Sequence, residues 1–265
     1  MKKCATYLFF SLMFLLASCS GSNSASTEKN SDTFVLETTK NVCLLDSSSN
    51  NSPKYECNIA IHVMKSEDKA RQDKVNSSIL YTIFGFEGNN IQAAVDSFID
   101  IMHSEYRDIR PEYLNEKHIN ENPPYFNFKY DIETSVAYGR DGAINYGVYC
   151  KSSNGTSTVN TIYTHINYNP ATGDEIKLCD VFKDNIEEYL CSRLTDALAD
   201  KIGAGSRKEI KEKGYLLFND IYPTENFILK KDSIVFVFNN YDISSYTQGC
   251  TSLGFSYEEL SDILK

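Results

Sequence analysis

The sequence has no tryptophan, and only four histidines and six prolines among its 265 residues. His62, His103, His118 and His165 form no i, i+4 pair and no H-E-x-x-H run, which removes the helical zinc-protease pattern. No C-x-x-C pair occurs, so zinc knuckles and thioredoxin-like redox motifs have no basis. No serine lies in a G-x-S-x-G setting. The adjacent acids Glu67-Asp68, Asp174-Glu175 and Glu187-Glu188 suit helix starts and turns. Asp174, Asp180 and Asp184 do not have the spacing of an EF-hand loop. Positive charge is scarce as well: 26 Lys and Arg face 36 Asp and Glu, for a net charge of −10. That balance argues against nucleic acid and against direct adhesion to anionic lipid. No catalytic residue, metal site or cofactor is expected from these patterns.

What is present starts at the N-terminus. Lys2-Lys3 precede an apolar run, Ala5 to Ala17, that is too short to span a bilayer as a mature helix. It closes in Leu16-Ala17-Ser18-Cys19, which resembles the cleavage site of bacterial lipoprotein signal peptides. That resemblance implies residues 1–18 as a signal peptide and Cys19 as the lipidated first mature residue. Residues 19–33, rich in Ser and Asn, read as a flexible tether that cannot bury enough apolar surface to fold. The expected location is the cell envelope, attached to the membrane through lipid on Cys19, on the outer membrane with its face left open. A plain secretory cleavage or an uncleaved anchor is the alternative.

Six cysteines lie beyond these two segments: Cys43, Cys57, Cys150, Cys179, Cys191 and Cys250. An even number in an exported chain suggests disulfides, with 15 connectivities open. Cys43 and Cys57 flank a Ser/Asn loop between two strand-like runs. A bridge there is the favoured pairing, worth roughly 3 kcal/mol. Cys179 with Cys191, and Cys150 with Cys250, are weaker preferences.

The periodicity predicts strands over Phe34–Leu45 and Tyr55–Met64, the second alternating cleanly. A helix follows, capped by Ser66 and running to Phe84. The next helix is capped by Asn90, with Ile91, Ala94, Val95, Phe98, Ile99 and Met102 on one stripe. Pro111 and Pro123-Pro124 read as breaks in a polar connection. An antiparallel meander is expected from Phe126 to Tyr168, turning at Arg140-Asp141-Gly142 and after Asn154-Gly155. Beyond a turn at Pro170–Asp174, Asp184 with Glu187 suggests a capped helix ending at Gly203. Strands at Phe227–Leu229 and Ile234–Phe238 follow, the latter apolar on both faces and so central. A short helix at Tyr257–Leu264, capped by Ser256, closes the chain. The fold class is α+β, antiparallel sheets with helices packed on one face, in two subdomains: 34–169 and 170–265.

Three segments carry a resemblance: Asn169 to Phe182, with its Thr172-Gly173-x-x-Ile176-x-Leu178-x-Asp180-x-Phe182 run; Phe227 to Asn239; and Tyr241-Asp242-Ile243 with Tyr246, Gly249 and Tyr257 to Leu260. They resemble the C-terminal domain shared by the lysozyme-sensing anti-sigma factor RsiV and the non-catalytic part of the deacetylase PdaC. The region from Tyr55 to Tyr168 is more loosely similar to the companion N-terminal domain. Ser152 to Ser157 departs from that family's Gly-Gly-Ala-His-like loop and has no histidine, so no role for one carries over. The resemblance implies an envelope sensory or binding module without its usual effector, whose partner is an envelope protein such as lysozyme or a peptidoglycan glycan. Among 18 tyrosines, Tyr241, Tyr246 and Tyr257 are the candidate binding aromatics, each with an apolar face and a polar tip. Two other readings remain: an enzyme with a site near Tyr146, Tyr163 and His165, and a structural subunit of an envelope complex.

Overall fold

The computed structural model of the chain describes residues 32–155 and 158–265. The signal peptide, Cys19 and the tether up to residue 31 lie outside the described residues. No described helix is long and apolar enough to cross a membrane.

Two antiparallel strands, β1 (Thr33–Leu44) and β2 (Lys54–Lys65), form the first hairpin. Along β2, Tyr55, Cys57, Ile59, Ile61 and Val63 are buried and the residues between them are half-buried, as the period of two requires. Three helices follow. In α1 (Lys69–Phe84) the cap is Asp68, whose carboxylate accepts from the Arg71 N–H. Ser66 instead accepts from the Asp68 N–H, two residues too early to cap the helix. Asn90 caps α2 (Ile91–Asp108) as expected, and the helix buries Ala94, Val95 and Ile99. Pro111 does not break the chain but sits in the first turn of α3 (Arg110–Glu116), where its missing N–H costs nothing. Lys117 just beyond α3 pairs at 3.0 Å with the buried Asp46 carboxylate in the β1–β2 loop. Hydrogen bonds from Ser48 and Lys117 hold Asp46 well below the usual carboxylate range.

The long crossover through α1–α3 returns the chain beside β2, so β3 (Phe128–Tyr138) pairs with β2 in parallel. This departs from the all-antiparallel expectation: a connection carrying three helices can swing back to the same end of the sheet, which a short turn cannot. Then β4 (Ile144–Ser153) and β5 (Asn160–Tyr168) complete a five-stranded sheet in the order β1-β2-β3-β4-β5, antiparallel from β3 onward.

After a turn at 169–174 come α4 (Leu178–Val181), α5 (Glu187–Ile202) and α6 (Arg207–Glu212). Asp184 does not cap α5; Ile186 occupies that position with no side-chain bond, while Gly203 ends the helix at φ +63°. A three-stranded antiparallel sheet follows in the order β6 (Phe227–Leu229), β7 (Ser233–Phe238), β8 (Thr251–Ser256), with the doubly apolar β7 in its centre. Tyr257 to Ile263 forms consecutive turns rather than a helix. Ser256 and Glu259 still make both halves of a capping box, but so short a segment cannot recover the cost of nucleation.

Two apolar cores result. The first spans residues between Cys43 and Tyr168, under α1–α3. The second joins Ala143 to residues between Phe182 and Ile263. By contact both belong to one compact unit.

The six cysteines are all free thiols. The favoured Cys43–Cys57 bridge fails on register: Cys43 lies opposite Tyr55, and Cys57 opposite Asn41. Diagonal neighbours of that kind sit about 7–8 Å apart, beyond the roughly 7 Å limit a disulfide tolerates. Cys150 belongs with the first core, on β4 opposite Ile132, whereas the exposed Cys250 precedes β8. Cys179 is exposed on α4 and Cys191 is half-buried on α5. Burial pushes the Cys57 thiol up to about 11, which leaves it little of the thiolate that oxidation needs.

Candidate functional site

Strand β5 is an edge, and edges need covering. In an antiparallel pair the backbone groups of alternate residues point away from the partner strand. On β5 the residues so placed are Tyr163 and His165, and asparagine side chains meet them. The Tyr163 N–H donates to Asn239 Oδ1 (2.8 Å), and its carbonyl accepts from Asn239 Nδ2 and Asn226 Nδ2, both at 2.9 Å. The His165 N–H donates to Asn226 Oδ1 (2.8 Å). One turn of the ladder on, the buried Asn167 reverses the roles. Its amide donates to the Phe227 carbonyl (2.8 Å) and accepts from the Leu229 N–H (3.0 Å). From β4, Asn145 Nδ2 donates to the Leu229 carbonyl (2.8 Å). Four asparagine amides thus stand in for a backbone ladder and join the five-stranded sheet to the three-stranded one. Asparagine is a poor strand former, and nothing in its sequence spacing marks this joint.

The N-terminal half of β5 is where the candidate tyrosines gather. Tyr241 and Tyr246 stack with ring centroids 6.1 Å apart and planes 28° apart. They are 64% and 37% exposed. Tyr241 holds a left-handed φ of +72°, uncommon for a side chain of its size. Its turn is tied by Asp242, whose carboxylate accepts from the Asn239 N–H at 2.7 Å. The Tyr246 hydroxyl donates to the Val159 carbonyl (3.0 Å), anchoring the pair to the strand. Beside the pair runs a groove of about 500 Å³ lined by Asn160, Thr161, Ile162, Asn239 and Asn240. Tyr257 is not part of it: its hydroxyl donates to the Lys230 carbonyl, and Arg140 lies over its ring at 4.6 Å. Of the three candidate aromatics, the fold assembles two.

The residues considered for an enzymatic site separate by strand parity. Tyr146 faces the first core and donates to the His62 carbonyl (2.7 Å). Tyr163 and His165 lie on the other face with Tyr149, whose ring meets theirs edge-on at 5.3 and 6.3 Å. Burial pushes the His165 imidazole down to about 4. An unfolded histidine titrates near 6.5, so between those values the unfolded chain binds more protons. Stability must therefore fall as pH drops from about 6.5 to about 4 and be insensitive to this group above that window. His103, also lowered by burial, acts in the same sense. The urea midpoint, measured from pH 7 to 4.5, should fall for the wild type and fall less steeply for His165→Gln. Parallel curves would show that His165 is not held neutral. Among the described residues no three His, Cys, Asp or Glu gather as a metal site.

Comparisons place this geometry among known folds. A crystal structure of a DUF3298-family member from Bacteroides fragilis NCTC 9343 superposes with a TM-score of 0.78 at 24% identity, over 89% of this chain and 96% of that one. A DUF3298-family protein from Pseudomonas aeruginosa PAO1 superposes with a TM-score of 0.56 at 14% identity, over 88% and 95%. At these identities the likeness is one of fold. No curated protein matches the sequence. Residues 179–258, which contain the tyrosine pair and all three strands of the smaller sheet, match the model of a family described as a protein of unknown function, DUF3298.

Proposed function

We propose that this chain is a lipid-anchored, non-catalytic binding module of the cell envelope, with Cys19 as the anchor and the Tyr241–Tyr246 groove as the ligand-facing element. The observation that carries the reading is the exposed, stacked tyrosine pair beside an open groove lined mainly by amides and hydroxyls. Solvent-exposed aromatics held rigidly by backbone bonds are what a binding surface uses, because little entropy is lost when a ligand stacks on them. The sequence resemblance to the RsiV/PdaC extracytoplasmic region supports the same class and suggests a lysozyme-like protein or a cell-wall glycan as ligand.

The test is retention of the full chain, purified in detergent, on immobilised lysozyme and on purified cell-wall fragments. One of the two should retain the wild type, and Tyr241→Ala should weaken that retention several-fold. Retention by neither at micromolar concentration sinks the binding reading. Hydrolysis or deacetylation of the fragments would instead favour an enzyme.

A further inference from the structure

The covering of the β5 edge has a gap one residue long. Tyr163 directs its N–H and carbonyl outward, where Asn239 and Asn226 meet them. Thr161, two residues earlier and paired with Lys151, directs its own N–H and carbonyl to the same side by the alternation of an antiparallel ladder. Two residues earlier again, the Val159 carbonyl is taken by the Tyr246 hydroxyl. Between these occupied positions, Thr161 has no hydrogen-bond partner for its outward groups among the described residues. Thr161 lines the groove, with Tyr241 and Tyr246 beside it.

We propose that this groove binds an N-acetylated sugar, its acetamido carbonyl accepting from the outward Thr161 N–H and its ring face resting on the exposed tyrosine pair. The inference rests on the binding-module reading above and narrows its ligand. A trans acetamido group points its C=O and N–H in opposite directions, so only its C=O turns to the strand, and the Thr161 carbonyl is left to accept from a ring hydroxyl. An extended peptide fits the gap worse. Strand addition engages every second residue of an edge, and the positions on either side of Thr161 are already bonded. The lining favours a neutral ligand: Asn160, Thr161, Asn239 and Asn240 carry no charge, and Asp242 is the one acid. A volume of about 500 Å³ suits one or two pyranose rings, within the usual range for small-ligand sites. Tyrosine offers the apolar ring face that the C–H side of a pyranose needs.

The experiment is calorimetric titration of the full chain in detergent with tri-N-acetylchitotriose and, separately, with its deacetylated counterpart, chitotriose. The acetylated trimer should bind at least about tenfold more tightly, the size of effect expected when a neutral amide pairing is lost. Thr161→Pro deletes the outward N–H together with the threonine side chain, a change that strand edges tolerate, and should cost about tenfold in affinity for the acetylated trimer. Tyr241→Ala, at an exposed position, should cost a similar factor and remains informative if the proline variant fails to fold. Equal affinity for the two trimers, no binding of the acetylated one, or wild-type binding by a folded Thr161→Pro variant would each overturn the proposal. If lysozyme or wall fragments retain the chain while the acetylated trimer does not bind, this inference fails and the binding-module reading stands.

Discussion

Replacing Arg71 with methionine should destabilise the protein by about 3–5 kcal/mol, the cost of removing one partner from a buried, hydrogen-bonded charge pair. Arg71 projects from the first turn of α1 and is only 7% exposed. One guanidinium nitrogen donates to Asp32 Oδ1 (2.9 Å) and to Ser66 Oγ (3.2 Å). The other donates to the carbonyls of Pro170 (3.0 Å) and Ala171 (3.4 Å). A single side chain thus ties together the residue before β1, the loop into α1 and the turn after β5. The turn packs closely against the same side chain. A Cβ on Gly173, which sits at φ +73°, would lie 2.9 Å from Arg71 Cγ and 3.1 Å from Val75 Cγ2. Methionine fills much of the aliphatic space but leaves the Asp32 carboxylate and two carbonyls without their donor. Lysine should recover little, since one ammonium cannot reproduce a planar fork. Urea denaturation should show the loss as a lowered midpoint with an unchanged slope. Asp32→Asn, which keeps an acceptor in place, should cost clearly less. A loss under about 1 kcal/mol for Arg71→Met would mean that the pair is solvated and holds nothing together.

Much of this arrangement is written in local pattern. The alternation in β2 and the single stripe of α2 are properties of a few neighbouring residues. The same is true of Asn90 as a cap and the doubly apolar face of β7, and each matches the structure. Features set by distant residues are not legible that way. Pro111 reads as a break because its ring forbids helix interiors, yet the first turn accepts it, and only the docking of α3 on the β1–β2 loop decides between the two. The parallel pairing of β2 with β3 depends on where a long crossover lands. Cys43 and Cys57 look like a bridge until register sets them two residues out of step. The candidate site divides in the same manner. Tyr241 and Tyr246 are five residues apart and meet through a local turn, whereas Tyr257 is carried away by β8. The asparagines that position the site look like turn formers in the sequence. Their role exists only because two sheets meet there.

That meeting can be probed at a single atom. Gly139→Ala should cost about 3–5 kcal/mol, because the added methyl would lie 1.7 Å from the Leu229 carbonyl oxygen, a backbone atom. It would also lie 2.8 Å from Asn145 Nδ2, the amide that donates to that same carbonyl. No side-chain rotation relieves such a contact, so the turn at 139–142 has to move away from β6. The Arg140 N–H then loses the Lys230 carbonyl, now at 3.1 Å, and Asn145 loses Leu229. Overpacking alone costs about 1–3 kcal/mol, and a buried polar group left unpaired adds a similar amount. Gly203→Ala is the control. Its Cβ would meet nothing within 4 Å, so only the left-handed backbone penalty of about 1–2 kcal/mol applies. Urea midpoints should separate the two variants clearly. Amide hydrogen exchange adds a spatial readout: in Gly139→Ala, protection should fall at Arg140, Tyr163 and His165 while it persists within β1 and β2. Uniform loss across the chain, or equal costs for the two glycines, would show that the asparagine joint does not respond as a unit. Selective loss at Tyr163 would tie the packing of one turn to the edge on which the tyrosine groove is built.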